Sequence, residues 1–286
     1  MSTYNFLLHQ YRKEFQEKEL SVETLKLFLF ELCNEQNVNL YLKLDEEALP
    51  SIEEKFHAGV KRLLKEEPLN YVLGYSYFFG YKMKVGPDVL IPRFETEELV
   101  GLILGEIDVH RPEGKIVLCD VGTGSGAIAI ALKKEEERLD VYASDISSEA
   151  LEVAKENAAG NDAEITFYQG SMLEPLIEHE IKLDILVSNP PYIPKEETLE
   201  HSVVDYEPHV ALFGGEDGLK FYREIFRDCR QVLKEKAFMA FEMGWDQRER
   251  MSALVEELLP EAEYEILQDM NGKDRMLFVY FNADNK

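Results

Sequence analysis

Cysteine is scarce in this chain. The 286 residues hold three, at 33, 119 and 229, an odd number with no closely spaced pair. That pattern excludes a disulfide framework and a Cys-x-x-Cys zinc site, and it fits a reducing compartment. The six histidines form no His-Glu-x-x-His pair, so no metal is expected. No stretch approaches the ~20 apolar residues that a membrane span needs. Met1 to Gln10 has no basic start running into a long apolar segment, so no secretory leader is expected. Positive charge is also short: 31 Lys and Arg stand against 56 Asp and Glu, a formal net charge of −25. Such a chain repels phosphate backbones unless a local basic patch overrides the mean. The best candidates, Lys61-Arg62 and Lys133-Lys134, both run on into glutamates. The expectation is a cytoplasmic, monomeric protein with no membrane and no direct nucleic-acid partner.

What is present is 45% hydrophobic residues, enough for one large core and a smaller second one. Residues 1–75 read as a helical bundle. Leu25, Phe28, Leu29 and Leu32 repeat at i, i+3, i+4, i+7, which lines one helix face. Ser51-Ile52-Glu53-Glu54 has the form of a capping box ahead of Phe56, Val60, Leu63 and Leu64, and Pro68 bars further helix. Residues 76–93 are rich in Tyr, Phe, Gly and Val. The run Tyr77 to Val85 reads as strand and Gly86-Pro87-Asp88 as a turn, which predicts a β-hairpin linker.

Residues 94–286 form the third region. A helix is expected from Glu95 to Ile107. Then short apolar strands alternate with helices. Strands are predicted at Lys115–Val121, Val141–Asp145, Ile165–Gln169, Leu183–Ser188 and Ala237–Met243. Helices are predicted at Ala127–Glu137, Glu149–Ala159, Leu219–Leu233 and Gln247–Leu258. Two strands near Tyr264–Gln268 and Met276–Phe281 close the chain. This alternation implies an α/β fold, Rossmann-like, with a mostly parallel seven-stranded sheet and an antiparallel C-terminal edge.

Two loops carry the chemistry. Asp120-Val121-Gly122-Thr123-Gly124-Ser125-Gly126 lies between a predicted strand and a predicted helix. Glycines there permit a tight turn and close approach of a ligand to backbone, and the helix start supplies unpaired N–H groups. Asp145 ends the next strand, where an acid can accept from ribose hydroxyls. Gly122, Gly124 and Ala127 also fit a dinucleotide fingerprint, so a nicotinamide enzyme stays open as a rival.

Asn189-Pro190-Pro191-Tyr192 follows a central strand and so sits on the same sheet edge. Two prolines fix φ and hold the carbonyls in a rigid turn. The Asn189 side-chain oxygen and the Pro190 carbonyl can accept both hydrogens of a planar NH2 group, with Tyr192 stacked on it. A conjugated nitrogen held so can turn its lone pair toward an electrophilic methyl. Glutamine amides and adenine share this chemistry, so an N6-adenine nucleic-acid methyltransferase is the alternative. Arg93, Glu95 and Thr96 either line a cofactor mouth or start a helix. Glu242 reads as a solvated strand end, Asp120 as a support for the glycine loop, and Gly214, Gly215 and Gly218 as turn residues.

These segments resemble the protein-(glutamine-N5) methyltransferases that modify peptide-chain release factors, the PrmC/HemK family. The resemblance is carried by Asn70-Tyr71-Val72-Leu73-Gly74, by Ile91-Pro92-Arg93-Phe94-Glu95-Thr96-Glu97, and by the two loops above. It continues through Glu207-Pro208 and Ala211-Leu212-Phe213-Gly214-Gly215. It implies a class I S-adenosylmethionine-dependent methyltransferase domain behind a helical substrate-recognition domain, with release factors as protein substrates. By resemblance Gly122, Thr123, Gly124, Ser125 and Gly126 line the methionine part of S-adenosylmethionine and Asp145 holds its ribose. Met172 lies against the adenine, and Asn189 to Tyr192 bind the substrate glutamine, with Pro191 in that turn. Ser171 stands where an Asp or Asn is expected, and Phe94 where the family often has Pro.

Overall fold

The apolar stripe read between Leu25 and Leu32 is buried, and it packs on Phe56 and Val60. The computed structural model describes residues 2–111, 113–198 and 201–282. The chain divides into two compact units. One runs to Tyr75 and takes in a segment ending at Tyr206; the other holds the rest.

The first unit contains α1 (Tyr4–Gln10), α2 (Arg12–Glu17), α3 (Val22–Glu35), α4 (Pro50–Leu63) and α5 (Leu69–Leu73). Phe28 of α3 stacks on Phe56 of α4 with centroids 5.6 Å apart. Gly59 makes that contact possible, because a Cβ there would lie 2.2 Å from the Phe28 ring. The capping-box expectation fails by two residues. Leu49 is the N-cap and Pro50 the first helical residue, a position that suits proline because its missing N–H is unneeded there. Ser51 donates instead to Gln36 Oε1 at 2.8 Å.

The second unit opens at Ser76, within β1 (Tyr75–Phe78), and continues with β2 (Tyr81–Lys84). The hairpin turn is at Phe79-Gly80, with φ of 50° and 83°; the turn expected at Gly86-Pro87-Asp88 is also present, closed by Val89 N donating to Gly86 O at 3.1 Å, but it follows the hairpin. Two successive left-handed residues are what a tight two-residue hairpin requires. This hairpin belongs to the second unit. Asn157 holds it there: its Oδ1 accepts from Lys84 N (2.6 Å), and its Nδ2 donates to Lys84 O (3.0 Å) and Ser125 O (2.8 Å).

The remaining elements are α6 (Phe94–His110), β3 (Ile116–Val121), α7 (Ala127–Glu135), β4 (Leu139–Asp145), α8 (Ser148–Gly160), β5 (Ile165–Gln169), α9 (Glu174–Glu178) and β6 (Leu183–Ser188). They continue with α10 (His201–Val204), whose residues belong to the first unit, then α11 (Lys220–Asp228), β7 (Leu233–Glu242), α12 (Arg248–Leu258), β8 (Glu263–Gln268) and β9 (Asp274–Phe281). The seven-stranded sheet runs β5-β4-β3-β6-β7-β9-β8. All pairs from β5 to β7 are parallel, and β9 is antiparallel to both its neighbours.

Alternation along β3 sets the two cores. Ile116 and Leu118 face the apolar cluster under α6 and α7, while Cys119 and Val121 face the one under α11 and α12. Each fully buried Leu, Ile or Phe contributes about 1.5–3 kcal/mol. The strand order reverses between β3 and β6, so the loops after these two neighbours open the crevice where ligands bind in such sheets. Ser188 Oγ closes the joint by donating to Val121 O at 2.6 Å.

Candidate active site

The glycine loop is wound by three left-handed glycines, Gly122, Gly124 and Gly126, with φ of 74°, 55° and 82°. The end of β4 anchors it. Gly122 N and Thr123 N donate to Ser144 O at 2.8 and 2.9 Å. Asp145 accepts from Gly124 N through Oδ2 and from Ser147 N through Oδ1, both at 2.9 Å. Burial pushes the Asp145 carboxyl up, and these amides oppose that by favouring the charge.

A cavity of about 330 Å³ opens above the loop, within the roughly 300–1,000 Å³ of small-molecule sites. Gly122, Thr123, Gly124, Ser125, Asp145 and Met172 line it. A Cβ on Gly122 or Gly124 would meet no protein atom within 4 Å, so the open space beside these glycines is available to a ligand. Gly126 is not on the wall. A Cβ there would sit 3.2 Å from Ala154 Cβ, so its smallness serves the close packing of α7 on α8.

Asn189 and Pro191 reach the same cavity from the end of β6, whereas Pro190 is buried and Tyr192 is turned away from the wall. Arg93 and Thr96 line it as well; Glu95 does not. Both readings of that segment hold, since α6 starts at Phe94 with Arg93 as its N-cap. Arg93 also pairs with buried Glu207 at 2.5 Å.

Behind the cavity runs a polar chain. Asn189 Nδ2 donates to Thr96 Oγ1 at 3.2 Å, and Thr96 Oγ1 donates to Glu242 Oε2 at 2.5 Å. Tyr192 OH donates to Glu242 Oε1 at 3.2 Å, and Tyr222 OH to the Glu242 carbonyl at 2.6 Å. Glu242 is therefore not a solvated strand end. It is 2% exposed, because β7 lies between β6 and β9 and its carboxyl end is covered by α6. Burial raises its carboxyl above the usual range, against Thr96, Arg275 and Tyr192, which favour the charge. Burial and the Glu242 charge push the Tyr192 phenol up, so it stays a donor.

The Ala211 to Gly215 segment braces the Asn-Pro-Pro-Tyr turn from outside. Ile193 N donates to Leu212 O (3.1 Å) and Gly214 N to Ile193 O (2.8 Å). At Gly214 a Cβ would lie 2.4 Å from Pro191 O, and at Gly218 2.2 Å from Tyr192 O. These are close-approach glycines rather than turn residues alone.

Asp120 supports the loop from below, accepting from Thr123 Oγ1 at 2.6 Å. Burial lifts its carboxyl from 3.8 to about 7, against the Thr123 and Ala129 hydrogen bonds, and nearby Asp145 adds to the rise. The folded chain thus holds this proton more tightly than the unfolded chain. Stability falls as pH rises from the unfolded to the folded value, by about 4 kcal/mol at most. Asp120→Asn removes that loss. Urea melts at about pH 5 and about pH 8 are expected to show the variant gaining on the wild type as pH rises; a pH-independent difference contradicts this.

Among the described residues no helix is long and apolar enough to cross a membrane, and no group of His, Cys, Asp or Glu could hold a metal ion. Residues 101–206 match the family model for a methyltransferase small domain, and residues 7–74 match that for the PrmC N-terminal domain. The release factor glutamine methyltransferase of Bacillus cereus is 44% identical over 252 residues, covering 86% of this chain and 89% of that one. The chain belongs to the release factor glutamine methyltransferase family. The Streptococcus pneumoniae member is 37% identical over 276 residues, 96% of each chain. A methyltransferase structure from Pyrococcus furiosus shares the fold, with a TM-score of 0.53 at 17% identity over 79% of this chain and 98% of that one.

Sequence reasoning missed the Thr96–Glu242 contact, which spans 146 positions. The available signal was a lone acid closing the apolar run Ala237 to Phe241, on the strand next to the Asn-Pro-Pro-Tyr strand. It also missed Lys220 and Phe221 of α11, which line the far wall.

Proposed function

We propose that this chain transfers a methyl group from S-adenosylmethionine to the side-chain amide nitrogen of the glutamine in the Gly-Gly-Gln motif of a peptide-chain release factor. The observation that carries this reading is the orientation of the Asn189 amide. Its NH2 is tied to Thr96, which leaves Oδ1 as an acceptor at the cavity wall.

S-adenosylmethionine, when bound, supplies an electrophilic methyl on a sulfonium centre. Gly122 to Ser125 would hold its amino-acid part through backbone. Asp145 would hold the ribose, since its two oxygens keep acceptor capacity beyond the amides they engage. Met172 would cover the adenine. Asn189 Oδ1 accepts one amide hydrogen of the glutamine at the cavity wall, where Pro191 also lies; Pro190 and Tyr192, off that wall, hold the turn that presents it. Holding that hydrogen restrains the amide nitrogen, so that its lone pair would be directed toward an electrophile bound in the same cavity. The Asn189 acceptor strengthens as the nitrogen becomes cationic, which favours the transition state over the ground state. The bond broken would be the sulfonium S–CH3 bond, with S-adenosylhomocysteine as leaving group; the methylated nitrogen is then cationic and acidic and loses its surplus proton to water, so no strong base is needed.

The helical residues 1–75 are the recognition domain for the release factor, residues 76–93 the linker, its hairpin held on the second unit by Asn157, and residues 94–286 the catalytic domain apart from α10. The enzyme acts as a cytoplasmic monomer.

Fragmentation mass spectrometry of a release factor incubated with enzyme and S-adenosylmethionine is expected to place one added methyl on the Gly-Gly-Gln glutamine. A methyl on another residue contradicts the reading. Asp145→Ala is expected to weaken cofactor binding in calorimetry by about tenfold or more, the loss of one charge-assisted contact, with a smaller effect on turnover at saturation.

A further inference from the structure

We propose that Thr96 and Glu242 are positioning residues that fix which way round the Asn189 side-chain amide faces the cavity. The inference rests on the reading of Asn189 as the acceptor for the substrate amide. An asparagine amide presents an oxygen at one end and two N–H donors at the other, and the two ends have nearly the same shape. Packing alone does not choose between them; the hydrogen-bond partner does.

Here the choice passes along a chain of single protons. Against burial, the Thr96 and Tyr192 hydroxyls and the Arg275 charge favour the ionised form of Glu242, and an ionised carboxylate offers acceptors only. Glu242 spends Oε1 on the Tyr192 hydroxyl and Oε2 on Thr96. The one proton of the Thr96 hydroxyl is thereby committed to Glu242, at 2.5 Å. Toward Asn189, Thr96 can then only accept, so the asparagine must present NH2 to it, at 3.2 Å. Oδ1 is left for the cavity. With the amide reversed, two oxygens would face each other across the same gap, and the substrate would meet a donor where it needs an acceptor.

The chain is sheltered enough to enforce this. Thr96 is 4% exposed and Glu242 2%, so water does not readily replace either partner. Arg275 favours the charge on Glu242 and is itself tied to Met243 O at 3.3 Å and Asp269 at 3.4 Å. Thr96 and Glu242 come from the first turn of α6 and the last residue of β7. The segment Ile91 to Glu97 thus has a task beyond starting a helix.

The test compares Thr96→Val, Thr96→Ser and Glu242→Gln. Valine keeps the shape of threonine and removes the hydroxyl; serine keeps the hydroxyl. Glutamine keeps the shape of Glu242 but can offer NH2 to Thr96, which reverses the chain. Turnover and KM on release factor, the S-adenosylmethionine Kd by calorimetry and the melting temperature are measured for each. Thr96→Val and Glu242→Gln are each expected to lower kcat about tenfold, the loss of roughly one hydrogen bond in the transition state. The cofactor Kd should hold within about twofold, and Thr96→Ser should recover most of the loss. Should Thr96→Val not fold, the comparison of Glu242→Gln with Thr96→Ser carries the same decision. Wild-type kcat in Thr96→Val or Glu242→Gln, or equal losses in valine and serine variants, overturns the inference. A wild-type enzyme that methylates no release factor overturns the parent reading, and this inference with it, which a control in the same assay reveals.

Discussion

Asn189→Ala is expected to lower turnover on release factor by about 10²–10³-fold, the range for deleting one preorganised polar contact to developing charge. Asn189 stands at the cavity wall with its NH2 engaged by Thr96, so the deletion removes the acceptor facing the cavity together with the bond to Thr96. The backbone that wraps the cofactor loop is bonded to Ser144 and Asp145, not to Asn189. The cofactor Kd should therefore change by no more than about twofold, and the melting temperature only slightly, because Asn189 is half-buried. Single-turnover kinetics with saturating S-adenosylmethionine separate these quantities. A variant that loses cofactor affinity and keeps its turnover would show that Asn189 belongs to the cofactor and not to the acceptor.

Gly218→Ala is expected to have the second large effect, from a residue that touches no ligand. Its φ is 75° and a Cβ would lie 2.2 Å from the Tyr192 carbonyl oxygen, which also accepts from Gln247 Nε2 at 3.0 Å. The methyl must push the Asn-Pro-Pro-Tyr turn away or strain the backbone. Overpacking of this kind costs roughly 1–3 kcal/mol of stability, and a shift near 1 Å in a positioning group lowers rate by roughly 10². Gly218 is off the cavity wall, so S-adenosylmethionine affinity should persist. Chemical denaturation and steady-state assays on the same preparation check both halves. Retained turnover alongside lost stability would mean that the turn tolerates displacement.

These two positions show where the sequence was legible. The alternation of short apolar strands with helices is a local signal, and it located the sheet, the glycine loop and the Asn-Pro-Pro-Tyr turn on one edge. Gly122, Gly124, Asp145, Met172 and Asn189 all meet at one cavity. What failed depended on partners far along the chain or on backbone angles that residue type does not announce. Phe79 takes φ of 50°, unusual for a bulky residue, and so the hairpin turn fell inside what reads as a strand. Ser51 lost its capping role because Pro50 was already suited to the first helical position. Glu242 looked solvated because nothing near it in sequence reveals that α6 covers it. Gly214 and Gly218 looked like ordinary turn residues because the carbonyls they must clear belong to Pro191 and Tyr192.

Adenine amines and glutamine amides both present a planar conjugated NH2, so the chemistry of the turn alone does not choose between them. Net charge separates them here: −25 disfavours the phosphate contacts that dominate nucleic-acid affinity. The decisive measurement is transfer of labelled methyl from S-adenosylmethionine to three parallel acceptors: purified release factor, its Gly-Gly-Gln variant with glutamine changed to alanine, and adenine-containing duplex DNA. Label on the wild-type factor alone is the predicted result. Label on the DNA, or equal label on both forms of the factor, would contradict the assignment of the Asn189 turn to a glutamine amide.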